Sequence, residues 1–268
     1  MTKLKPFGLI MAMAVLVFAA NSCDTTDNSE PQLDLIPINS VTVDGYAVSV
    51  ESEKELETGS NELYWKIEQD GEIIKPQSIS ITPMMDMGEM MHSTPYTKPQ
   101  IAEEDGRYFN NMVVFIMPGG MMGSWSLNFE ATLQNEEVIS GSIPIDVASS
   151  WRLTSVQDKN DNVYFITWHE PKTPVTGEND LKFLVHTRES MMSFPAVDDL
   201  KMSIYPYMDM GGGNGHSTEF SNPEATQNGY YEGSINYSMS GTWTTSVELI
   251  AENDTLPEVV FEYSVRAE

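Results

Sequence analysis

Apolar and polar residues alternate along most of this chain. Trp125, Leu127, Phe129, Ala131 and Leu133 take every second position, and so do Trp243, Thr245, Val247, Leu249 and Ala251. A period of two sets one face of an extended chain on a core and the other in water. Both stretches therefore predict antiparallel strands. Ile143, Ile145 and Val147 repeat the pattern, as do Phe261, Tyr263 and Val265. Asp70-Gly71 predicts a tight hairpin turn. No long helical periodicity follows the N-terminal segment, so the chain reads as all-β.

The pattern occurs twice. Tyr46, Lys54, Thr58, Gly59, Asn61 and Leu63 recur as Tyr164, Lys172, Thr176, Gly177, Asn179 and Leu181, always 118 positions later. Gly123–Leu133 lies over Gly241–Ala251 at the same offset. Between these anchors the offset drifts and then recovers, as insertions in loops on a fixed scaffold do. The period is too long for a solenoid, and each copy is long enough to bury its own core. The expected architecture is two tandem immunoglobulin-like antiparallel β-sandwiches, residues 37–148 and 149–268, each of about seven short strands.

The first residues differ. Lys3 and Lys5 precede an apolar run from Phe7 to Ala20, followed by small residues and the only cysteine, Cys23. The run is too short to span a membrane but suits a signal-peptide core. The segment resembles a bacterial lipoprotein signal, which implies cleavage after residue 22 and lipidation of Cys23; a plain secretory signal is the alternative. Residues 23–36 are polar and acidic and read as a tether. A lone cysteine cannot form an internal disulfide, and lipidation would account for it. The chain has 14 basic and 40 acidic residues; without Lys3 and Lys5 the balance is 12 to 40, or −28. That charge repels nucleic acid. The expected location is the bacterial envelope, on the periplasmic face or outer surface, with a membrane anchor at Cys23.

One composition bias changes the picture. Half of the 18 methionines lie between Met84 and Met122, around the stretch PMMDMGEMMH. Met85-Asp86-Met87-Gly88 is followed by His92-Ser93-Thr94; Met208-Asp209-Met210-Gly211 is followed by His216-Ser217-Thr218. In an extended M-D-M segment both methionines point to one face and the aspartate to the other. Glycine then lets the chain turn, and the histidine can fold back over the sulfurs. Two thioethers and one imidazole suit Cu(I) rather than Mg²⁺ or Ca²⁺. The candidate ligands are therefore Met85, Met87 and His92, then Met208, Met210 and His216. Asp86 and Asp209 either accept a hydrogen bond from the imidazole and orient it or face water. Packing, a fold-critical turn and an adaptable protein-binding surface are the other readings of such methionines. Met112 and Met117 lie in a strand pattern and read as packing.

The order of these elements resembles the YtkA-like/FixH-like domain family, in which a proline-methionine stretch precedes G-x-Y and M-x-G-x-W. The matching residues are Met208, Met210, Gly229, Tyr231, Met239, Gly241 and Trp243. In the first copy they are Met85, Met87, Gly106, Tyr108, Met117 or Met121, Gly123 and Trp125. The resemblance covers roughly residues 63–133 and 181–251. It implies a β-sandwich and a link to copper handling or copper-oxidase assembly. FixH-type members carry a membrane helix, and none is visible here after the leader.

Other residues indicate less. His169 lacks the second histidine of a helical zinc motif, and His186 sits in a strand pattern at a core edge. Asp158–Asn162 reads as a turn, with a weak calcium loop as the alternative. No nucleophile elbow, phosphate loop or catalytic cysteine is present. The expected function is thus non-enzymatic: capture, buffering or hand-over of Cu(I), with an envelope protein as possible partner and no small-molecule substrate. The alternative is a structural or adhesive module whose methionine loops bind protein.

Overall fold

The computed structural model describes residues 34–101, 109–121, 123–251 and 254–268. The leader, Cys23, Gly106, Tyr108 and Met122 lie outside the described residues. The first half runs β1 (Ile36–Val43), β2 (Tyr46–Ser52), β3 (Gly59–Gln69), β4 (Glu72–Ile73), β5 (Ser78–Asp86), β6 (Met91–His92), β7 (Gln100–Ile101), β8 (Phe109–Phe115), β9 (Ser124–Thr132) and β10 (Val138–Ile145). The second half runs β11 (Leu153–Gln157), β12 (Val163–Glu170), β13 (Gly177–Thr187), β14 (Lys201–Gly211), β15 (Asn214–His216), β16 (Glu219–Ala225), β17 (Tyr230–Tyr237), β18 (Gly241–Ala251), β19 (Asp254–Thr255) and β20 (Val259–Val265). Among the described residues there is no helix.

Each half is a pair of antiparallel sheets. The first pairs β1-β2-β3-β8-β7, with β4 on β3, against β10-β9-β5-β6. The second pairs β11-β12-β13-β17-β16 against β15-β14-β18-β19, with β20 on β18. Alternation decides which side chains fill each core. Trp125, Leu127, Phe129 and Ala131 of β9 are buried, and Ile143 and Ile145 of β10 join them. Trp243, Thr245, Val247 and Leu249 of β18 are buried beside Phe261, Tyr263 and Val265 of β20. Asp70 and Gly71 both adopt positive φ and close the β3–β4 hairpin. Asp44 and Gly45 do the same between β1 and β2.

The recurring T-G-x-N sequence has a structural cause. Asn61 accepts a hydrogen bond from the Glu57 N–H and donates to the Glu57 and Gly59 carbonyls, at 2.7–3.1 Å. Asn179 makes the same three bonds to Val175 and Gly177, at 2.8–3.1 Å. Each asparagine substitutes for backbone partners where the chain enters a central strand. The same loop is latched by a parallel bridge, Glu57 to Ala148 in one half and Val175 to Arg266 in the other. Asn61→Ala and Asn179→Ala should each cost about 2 kcal/mol, because buried backbone groups lose partners. Urea midpoints check this, and a change within error at either site would count against the clamp.

The two sandwiches touch through their sheet faces. Met112 and Val114 of β8 point away from the first core and pack with Leu184 of β13, flanked by Leu153 and Tyr230. Polar contacts rim this patch: Ser60 Oγ to His169 Nδ1 at 2.9 Å, and Lys172 Nζ to Glu53 at 2.8 Å. A backbone bond from the Ser93 N–H to the Met191 carbonyl, 2.8 Å, adds a third tie beside the methionine motif.

Candidate soft-metal site

The M-D-M segment of the first sandwich is the end of β5. Met85 is fully buried in the core, Asp86 is exposed, and Met87 is half-buried against the same core. Asp86 Oδ1 accepts the Gly88 N–H at 2.8 Å, and Gly88 turns the chain at φ +86°. β6 then returns with His92 directly opposite Met85. In the second sandwich Asp209 Oδ1 accepts the Gly211 N–H at 2.8 Å, and β15 returns with His216 opposite Met208. Cross-strand partners share a face, so each histidine folds back over the first methionine of its motif. The aspartates do not orient the imidazoles. Their carboxylates make the turn, a local Asx bond, and face water.

That orienting role belongs to the next residue. His92 Nδ1 lies 2.6 Å from the Ser93 carbonyl, and His216 Nδ1 lies 2.9 Å from the Ser217 carbonyl. Tryptophan holds the other side: His92 meets Trp125 edge-on at 5.5 Å, and His216 meets Trp243 at 5.4 Å. A carbonyl only accepts, so the proton of each bond is on Nδ1, and in the neutral ring Nε2 presents its lone pair. His92 Nε2 lies 3.2 Å from Met117 Sδ. A thioether has no proton to donate, so in the neutral ring two electron-pair donors face each other. His216 Nε2 is buried with no hydrogen-bond partner.

The expected ligands are therefore divided. His92 and Met87 line one cleft of about 260 Å³, together with Met90, Met117, Phe165 and Met191. Met85 lies beneath, paired on its other side with Trp125. In the second sandwich Met208 is half-buried, and Met210 is 60% exposed. Met117 packs against the first core as expected, and it also brings its sulfur to His92. Its carbonyl also accepts Trp125 Nε1–H at 3.0 Å, as the Met239 carbonyl accepts Trp243 Nε1–H at 3.1 Å. Met117 rather than the fully exposed Met121 is thus the structural counterpart of Met239. Met191 was not foreseen at all; the Met191-Met192 pair in the loop after β13 was the available signal. Among the described residues, no group of three or more His, Cys, Asp or Glu could hold a metal ion. The donor set is thioether and imidazole, which suits a soft monovalent ion.

The other histidines have different work. Burial, with Arg152 nearby, pushes His169 down to about 4. Burial alone pushes His186 down to about 4. Asp158 is taken up by the Asn160 and Asn162 N–H groups and the Asn162 side chain, which closes a turn.

No curated protein matches the chain. Among solved structures it is similar to FdeC, an Escherichia coli adhesin, at 16% identity, over 84% of this chain and 66% of that one, with a TM-score of 0.26. It is similar to domains 4–9 of the surface-layer protein SbsC at 13% identity, over 87% of this chain and 32% of that one, with a TM-score of 0.32. Chicken CNTN1 FN1–FN3 domains follow at 11% identity, over 86% and 67%, with a TM-score of 0.23. The chain thus spans about two thirds of the adhesin structure and about a third of the longer surface-layer structure. These likenesses are too loose to bear on function. The sequence likeness is more specific: residues 158–248, from the turn before β12 to Glu248 in β18, match the family model described as YtkA-like.

Proposed function

We propose that this is an envelope protein that binds Cu(I) at a methionine–histidine motif in each sandwich, for capture, buffering or hand-over. One observation carries the reading. Both motif histidines are fixed through Nδ1 by a backbone carbonyl, and both leave Nε2 without an oxygen or nitrogen partner, against the Met117 sulfur in the first sandwich and buried in the second. A Cu(I) ion would supply the missing electron-pair acceptor, and thioethers bind it without losing protons. The leader and Cys23 support a lipid anchor at the membrane, and the acidic surface favours attraction of cations. No catalytic step is part of the reading.

The histidines are the residues to replace. Met85 is fully buried, so its truncation would unfold the core before it tested a ligand. The full chain in detergent micelles, titrated with Cu(I) against a coloured chelator, should retain two equivalents. His92→Ala and His216→Ala should each retain one, and the double variant none. No retention against even a weak competitor, or two equivalents in the double variant, would end the proposal. The adhesive alternative draws on the exposed Met90, Met91, Met121, Met192 and Met210. It expects a partner from envelope extract that is lost when these loops are substituted.

A further inference from the structure

We infer that the two copper sites are not equivalent: the first is shared between the sandwiches, with Met191 of the second sandwich as a ligand. This rests on the Cu(I) reading above. The first observation is the tie at the motif. The Ser93 N–H donates to the Met191 carbonyl at 2.8 Å, one residue from His92. The backbone that carries Met191 is thereby docked on the strand whose histidine offers its Nε2. The second is the cleft itself, which Met191 lines together with His92 and Met117. The loop carrying Met191 is closed on itself by paired Ser190 and Ser193 and by the Glu189 N–H to the Ser193 carbonyl at 3.0 Å. It is a formed loop held at the cleft.

The remaining walls are largely apolar. Phe165 and Phe194 pack together at a ring separation of 6.0 Å on the second-sandwich side. Low polarity strengthens a bond between a soft ion and a thioether relative to water. Arg188 also lines the cleft, but it is solvent-exposed, where water screens its charge. In the second sandwich His216 Nε2 is buried, while Met210 is 60% and Met239 39% exposed. Met191 is 43% exposed, so what sets the first site apart is a sulfur brought from the other sandwich rather than burial. Three donors from two sandwiches, His92, Met117 and Met191, would hold the ion more tightly than the motif at His216, whose donors come from one sandwich. The order of affinities then sets a direction, with the single-sandwich site exchanging ion and the shared site retaining it.

Met191→Leu keeps the volume and removes the sulfur. In the full chain carrying His216→Ala, so that only the first site binds, this substitution should weaken Cu(I) at least about tenfold, since even outer groups change metal affinity by 10–100-fold. Met192→Leu on the neighbouring position should leave the affinity unchanged. X-ray absorption at copper should lose one sulfur ligand in Met191→Leu and none in Met192→Leu. Equal affinity and equal sulfur count in Met191→Leu would overturn the shared site while leaving copper binding intact. Failure of the parent chain to bind Cu(I) at all would instead overturn the underlying function.

Discussion

Gly123→Ala is expected to destabilise the protein by about 3–5 kcal/mol, whereas Gly241→Ala at the matching position should cost only about 1–2 kcal/mol. Gly123 immediately precedes, and Gly241 begins, the strand that carries the motif tryptophan, and both lie at positive φ, +145° and +138°. The backbone strain of adding a side chain is therefore similar. The surroundings differ. A Cβ on Gly123 would lie 2.4 Å from the Asp86 carbonyl oxygen and 3.1 Å from its carbon. That backbone belongs to β5, whose Asp86 pairs with Ser124 of β9, so the clash can be relieved only by parting two strands. A Cβ on Gly241 would meet the terminal methyl of Met208 at 2.4 Å, and a thioether chain can rotate away. Denaturant midpoints of the two variants test this directly. Equal costs would show that φ strain alone accounts for both. Gly123→Ala should also disturb the first motif, because the same Cβ would touch Met85 Cε at 3.0 Å.

This contrast shows what the chain discloses in advance and what it conceals. The strands at Trp125 and Trp243 were legible because each has one wet face, and a single period records that. Residues Met112–Phe115 and Phe183–His186 are buried without a break. Val113 and Phe115 face the first core, while Met112 and Val114 meet Leu184 across the junction. A strand buried on both faces loses its alternation. Its uninterrupted apolar run was the only trace of the contact between the sandwiches. The motif behaved similarly. The return of the histidine follows from local rules and occurs in both copies. The split of M-D-M between two faces holds in the first, whereas in the second Met210 is 60% exposed where the register shifts after Asp209. Aspartate two residues before glycine is also local, an Asx-turn signal, and it explains Asp86 and Asp209 better than a role at the imidazole. Met117 and Met191 reach the cleft only through tertiary packing, and no periodicity encodes that.

Acid should weaken the fold by about 2–3 kcal/mol for each of two buried histidines between pH 6.5 and pH 4. His169 and His186 are both pushed from 6.5 to about 4 by burial. Arg152, Lys172 and Lys182 add to the effect at His169, while Asp198 partly offsets it at His186. Unfolding releases both rings into water, where they take up protons below pH 6.5 that the folded protein refuses. The unfolded state then binds more protons, so stability falls as the pH drops through this window. Above it both rings are neutral in either state and contribute no slope; below about pH 4 the loss is complete. Denaturant midpoints at pH 7 and pH 4.5 should differ less in a His169→Gln, His186→Phe double variant than in the parent. An identical slope in the two would mean that carboxylates alone carry the acid response. The consequence is local for His169. Its Nδ1 meets Ser60 across the junction, and Arg152 holds its backbone carbonyl. Protonation there places a second cation beside Arg152 at the contact between the sandwiches. Acid should thus strain the junction that brings Met191 to His92, and a Cu(I) ion held as proposed between the sandwiches should be lost before either sandwich unfolds.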